Sequence, residues 1–229
     1  MFTTKVVWIV FLNTLLLQAA ILDDVVDKIQ SYGASHMHYK KYHHSRHTQK
    51  EHKVSDEAKW QLALYYLGYY HGKIDGDLLT PESYHAIELF QHKYQSLASG
   101  LLAERFKPYL SDIYLQLKMK KDLSYEGKEK IKNSKKIQTA LQVMGFYEGK
   151  IDGKTGEKTK SAIKQYVESK EYNKSSEKEL DADMKKVLIQ DAVAVVEKKL
   201  GNMKQESYFN TQYAKEEIET DNDIIAELQ

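Results

Sequence analysis

Apolar residues recur at helical spacing along much of this chain. Trp60, Ala63, Leu64 and Leu67 stand at i, i+3, i+4 and i+7, one face of an amphipathic helix, and Ile137, Ala140, Leu141 and Met144 repeat that face 77 residues later. Ala86, Ile87 and Phe90 mark a second helix, matched after a one-residue slip by Ala162, Ile163 and Tyr166. Leu188, Ala192, Val195, Val196 and Leu200 trace a further stripe. Start signals agree with these helices. Ser55 before Asp56 and Glu57 reads as an N-cap with acidic groups set against the helix dipole, and Thr80-Pro81-Glu82 reads as N-cap, N1 and N2. With only two prolines, eleven glycines and 29% charged residues, the chain is expected to be all-α, its helices joined by short turns.

Between the paired helices lies the strongest signal. Gly68-Tyr69-Tyr70-His71-Gly72-Lys73-Ile74-Asp75-Gly76 recurs as Gly145-Phe146-Tyr147-Glu148-Gly149-Lys150-Ile151-Asp152-Gly153, at the same offset throughout. Gly68 and Gly145 stand where a helix C-terminus favours positive φ, while Gly72, Gly76, Gly149 and Gly153 permit the reversals that bring the next helix back. Ile74 and Ile151 are expected to dip into a core, and Asp75 and Asp152 to accept backbone N–H bonds within the turn.

These residues resemble the small three-helix peptidoglycan-binding domain appended to many cell-wall hydrolases. The second copy is closer, since Asp152-Gly153-Lys154-Thr155-Gly156-Glu157-Lys158-Thr159, then Ala162-Ile163, fits the family's Asp-Gly-x-x-Gly-x-x-Thr-x-x-Ala-Ile run without a gap. The first copy has Thr80-Pro81 where that glycine turn belongs. The resemblance covers residues 55–118 and 133–190 and implies two tandem three-helix bundles joined by a linker over 119–132. An extra C-terminal helix and acidic tail follow over 191–229. Family members carry a second Asp-Gly turn before the closing helix. Ser99-Gly100 is a faint version of it, with Phe106, Tyr109, Leu110, Ile113 and Leu117 to close the first bundle. The second copy lacks that turn and has Leu180, Met184, Val187 and Leu188 for closure.

Upstream, Lys5 precedes an apolar run over 6–12, which resumes at Leu15, Leu16 and Leu17 and ends at Ala19-Ala20 before Asp23-Asp24. A secretory segment needs an apolar stretch of about 7–15 residues and a membrane span about 20, so residues 1–20 read as a signal peptide or, alternatively, an uncleaved anchor. Either reading implies export. Residues 21–54 form a linker, expected to be mostly disordered, that contains His36, His38, His43, His44, His47 and His52 among Tyr, Lys and Arg and almost no aliphatic residue. Neutral imidazoles are good ligands for zinc, copper or nickel. The same composition also suits a solvated, mildly basic spacer, and no carboxylates are in evidence to orient the rings.

Charge and composition exclude several classes. Lys plus Arg number 34 against 33 Asp plus Glu, so the broad basic field of a dedicated nucleic-acid binder is missing. Zero cysteines exclude disulfides, thiolate zinc, iron–sulfur clusters and thiol catalysis. No His-Glu-x-x-His or Gly-x-Ser-x-Gly occurs, and two short bundles leave no scaffold for a hydrolase site, so no enzyme activity and no cofactor are expected. The resemblance implies a non-catalytic, exported protein of the periplasm or cell wall that localises itself, or a partner hydrolase or other envelope protein, on peptidoglycan. The alternative is a periplasmic protein-interaction adaptor that keeps the bundle fold without glycan binding. Sugar faces stack on aromatic rings and stem-peptide carboxylates suit lysines, so Tyr66, Tyr70, Lys73, Tyr147 and Lys150 are expected as exposed contacts.

Overall fold

A computed structural model describes residues 54–94, 98–170 and 180–213. The expected export segment, the six linker histidines and the end of the acidic tail lie outside these residues. Those described form helices α1 (Asp56–Leu67), α2 (Pro81–Lys93), α3 (Lys107–Leu123), α4 (Lys130–Val143), α5 (Glu157–Ser169), α6 (Ala182–Met203) and α7 (Glu206–Gln212), with a 3-10 turn at Glu104–Phe106 and, among the described residues, no strand. None of these helices is long and apolar enough to cross a membrane. The chain divides into two compact units, one of Met1–Tyr114 with Glu206–Gln229 and the other of Leu115–Gln205.

In the first unit, local signals set the helix ends. Ser55 Oγ accepts from Ala58 N–H at 3.2 Å, and α1 stops at Gly68, whose φ of 88° lets its N–H reach back to Leu64 and Tyr65. Thr80 Oγ1 accepts from Ser83 N–H at 3.2 Å ahead of Pro81. The core is largely aromatic. Phe90 meets Phe106 at 4.9 Å and Tyr94 at 5.0 Å between ring centroids, and Tyr109, Leu110 and Ile113 of α3 are fully buried beside them. Helix α7, drawn from the far end of the chain, inserts Phe209 at 4.7 Å from Tyr94 and 5.2 Å from Tyr109, while Tyr213 donates to Asp112 Oδ2 at 2.6 Å. Burial pushes the phenols of Tyr94 and Tyr109 upward and that of Tyr69 up to about 12.

In the second unit α4 packs chiefly on α6 and also against α5. Asp181 caps α6, accepting from Met184 N–H at 2.7 Å. From there Met184, Leu188, Ala192, Val196 and Leu200 repeat at i+4 and are all buried. The helix runs unbroken through residue 190, where the second bundle was expected to end, because the apolar stripe does not pause there. Likewise 119–123, expected as linker, continue α3, where Lys120 pairs with Glu197 at 2.9 Å and Leu123 is buried.

Candidate functional site

Both copies of the glycine motif are built around a glutamine. Gln61, on α1, accepts through Oε1 from Asp75 N–H at 3.0 Å and Gly76 N–H at 2.7 Å, and donates through Nε2 to the Asp77 carbonyl at 2.9 Å and to Ser83 Oγ at 3.1 Å. Gln138, on α4, repeats this. It accepts from Gly153 N–H at 2.7 Å and donates to the Lys154 carbonyl at 3.0 Å, Asp152 Oδ1 at 3.1 Å and Thr159 Oγ1 at 3.2 Å. Both glutamines are buried. A carboxamide offers an acceptor and a two-proton donor on one plane, so one side chain serves both the N–H groups and the carbonyl of a buried turn. Gly76 and Gly153 sit at φ 82° and 78°, which keeps those N–H groups turned inward. Gln91, on α2, grips Ser99-Gly100-Leu101 in the same manner, accepting from Ser99 and Gly100 N–H at 3.1 Å each and donating to the Leu101 carbonyl at 2.8 Å. The matching position in the second unit is Val167, and the sequence there has no second glycine turn.

This architecture corrects the expected exposure of the aromatic contacts. Tyr70 and Tyr147 are only 2% and 6% exposed and Tyr66 3%. Tyr70 lies over Gly72 and donates to the Lys73 carbonyl at 2.5 Å, and Tyr147 lies over Gly149 and donates to the Lys150 carbonyl at 2.9 Å. A Cβ on Gly72 would fall 2.6 Å from the Tyr70 hydroxyl, so these glycines are required by the ring above them rather than by positive φ. The rings therefore wedge the turns open, with hydroxyls consumed internally. Lys73 and Lys150 are exposed but contribute their carbonyls to the turn. Asp75 and Asp152 are exposed and accept from the amides two residues on, at 3.0 and 2.8 Å, which with the glutamine Nε2 holds both carboxyls below the ordinary range. Ile74 is buried and Ile151 half-buried.

The turn motif thus shapes a scaffold, and the solvent-facing opportunity lies beside it. In the second unit a groove of about 1140 Å³ runs between the start of α4, the outer face of α5 and the first half of α6. Six lysines line it: Lys128, Lys130, Lys136, Lys160, Lys164 and Lys185. Among the described residues its one acid is Glu157, 3.0 Å from the Lys160 ammonium. Ile137, Ile163, Leu180 and Ile189 supply an apolar floor, and Asn133, Ser134 and Thr155 add polar hydrogens at the edge. Lys136 is fixed by a 2.8 Å bond to the Tyr125 carbonyl. No aromatic ring is among the described lining residues. Among the described residues no cluster of three or more His, Asp or Glu is placed to hold a metal.

Neither the glutamines nor the groove is among the contacts expected from the sequence. Gln61 and Gln138 hold the motif's own 77-residue offset, which is the signal that could have found them. The lysines come from three helices and the segment before α4, so linear spacing carried no trace of their convergence.

Comparison with known families gives one match: residues 132–166 fit the family model described as "Putative peptidoglycan binding domain". The matched stretch contains α5's groove face, most of α4 and the Gln138-held turn. No curated protein and no solved structure matches the chain.

Proposed function

We propose that this chain is an exported, non-catalytic peptidoglycan-binding protein that holds itself, or a partner envelope protein, at the cell wall. The observation that carries this reading is coincidence in place: the peptidoglycan-binding family model falls on 132–166, and most residues lining the lysine groove, including Lys136, Lys160 and Lys164, belong to that stretch. The first unit repeats the Gly-x-x-x-Gly-Lys-Ile-Asp-Gly turn and its glutamine, which supports reading it as a diverged second copy. Export is inferred from residues 1–20 and from the ligand itself, which lies outside the cytoplasm.

Sedimentation with purified insoluble sacculi tests the proposal. The purified chain should enter the pellet and be released by soluble wall fragments. A chain that stays in the supernatant across a range of sacculus concentrations would favour the adaptor reading instead.

A further inference from the structure

We infer that the wall ligand is read by the second unit alone, and that the chemistry recognised there is the free carboxylates of peptidoglycan stem peptides rather than the sugar faces. The inference rests on the peptidoglycan reading above and specifies its site.

The two units share the helix–turn–helix of the glycine motif but differ in surface chemistry at several matched positions, although Lys136 of the groove is matched by Lys59, which is paired with Asp56. Aligning α4 on α1 and α5 on α2 sets Tyr84 and Glu88 where the second unit has Lys160 and Lys164, and Asp56 and Glu57 where it has Asn133 and Ser134. Trp60 replaces Ile137 of the groove floor. That indole is engaged within its own unit, donating Nε1–H to Ser111 Oγ of α3 at 3.0 Å with the Lys107 ammonium 5.2 Å from the ring. An anion approaching the first unit at this face would therefore meet three carboxylates, Asp56, Glu57 and Glu88, with the one matched lysine, Lys59, already paired to Asp56. In the second unit it meets ammonium groups on three sides.

The groove's composition selects among parts of the wall polymer. Saccharide recognition draws on aromatic rings for stacking, and no described residue lining this groove is aromatic. Lysines are flexible point charges that suit carboxylates spaced irregularly along a peptide. The aliphatic floor of Ile137, Ile163 and Ile189 accepts short apolar side chains lying between those charges. Lys128, Lys130, Lys160, Lys164 and Lys185 are all exposed, so they can reorient toward a ligand without disturbing the core.

The test uses the full chain and sacculi in two forms, untreated and with stem-peptide carboxylates converted to amides by carbodiimide coupling. Retention should fall about tenfold on the amidated sacculi, and by a similar factor for a variant combining Lys128→Gln, Lys160→Gln, Lys164→Gln and Lys185→Gln, because several exposed charge contacts are lost together. A matched first-unit variant, Glu57→Gln with Glu88→Gln, should bind like the parent. Circular dichroism melts of both variants check that they fold. Equal retention on untreated and amidated sacculi overturns the inference while leaving peptidoglycan binding in place, whereas loss of binding after phosphodiester polymers alone are stripped overturns both, since peptidoglycan is still present in such sacculi. Loss caused by the first-unit variant overturns the assignment to the second unit. Failure of the parent to sediment with any sacculi overturns the peptidoglycan reading, and this inference with it.

Discussion

A single carboxamide organises each turn, and its removal has a calculable consequence. With Gln138→Leu, the Gly153 N–H loses its partner, while the Lys154 carbonyl keeps the bonds it accepts from Gly156 N–H and Thr159 Oγ1 and Tyr147 keeps its bond to Lys150. Leaving one such N–H unpaired costs about 1–3 kcal/mol, so urea denaturation should show the second unit destabilised by roughly that amount. The aspartates beside these glutamines carry a pH signature. Asp75 and Asp152 have folded pKa values below their unfolded ones, first because the amides of Asp77 and Lys154 donate to them and then because the glutamines do. Their contribution is therefore whole above the unfolded value of about 3.9 and is lost as pH falls through the lower folded value. Carboxyl titration by nuclear magnetic resonance should give midpoints below that of a free aspartate for both. A midpoint at or above the free value would refute the bonding scheme.

Helices were the legible part of the sequence, and their partners were not. The caps at Ser55 and Thr80, the Gly68 terminus and the stripe of α6 all follow from neighbours within a few residues, where local hydrogen bonds and periodicity act. Helix α7 is the contrary case. Its few residues carry no stripe long enough to read, yet Phe209 is 2% exposed within the ring cluster of Tyr94, Phe106 and Tyr109. A segment whose Tyr213 is 101 residues from Asp112 in sequence thus completes the first unit's core, which two short helices and half of α3 would leave thin. Phe209→Ala should cost about 3–5 kcal/mol, the usual penalty for emptying a buried aromatic site. Hydrogen exchange should show the loss of protection in α2 and the first half of α3, with α5 unaffected. Uniform loss across both units would contradict the division.

At the scale of the molecule, near-neutrality conceals a strong local asymmetry. The formal charge is +1 with 34 basic and 33 acidic residues, which excludes a global steering field, yet among the described residues six lysines and one acid share a single groove. Binding through that groove should weaken steeply with salt although the whole chain is almost uncharged. Raising ionic strength from about 0.05 to 0.5 M shrinks the screening length from roughly 14 to 4 Å, so sacculus retention measured over that range should fall severalfold. Insensitivity to salt would point away from the lysines and toward apolar contact with the floor.

The sequence by itself determined the helical class, the duplicated glycine turn, the caps, and the resemblance that the family match over 132–166 supports. All of these depend on spacing or on residues a turn apart. Tertiary structure alone decided that the motif tyrosines face inward, since a ring's exposure depends on what lies across from it, here a glycine and a backbone carbonyl. It also decided where the charges gather. Lysines from α4, α5, α6 and the preceding segment are scattered in sequence and become neighbours only when those helices pack, because surface potential belongs to the assembled fold and not to any one stretch of chain.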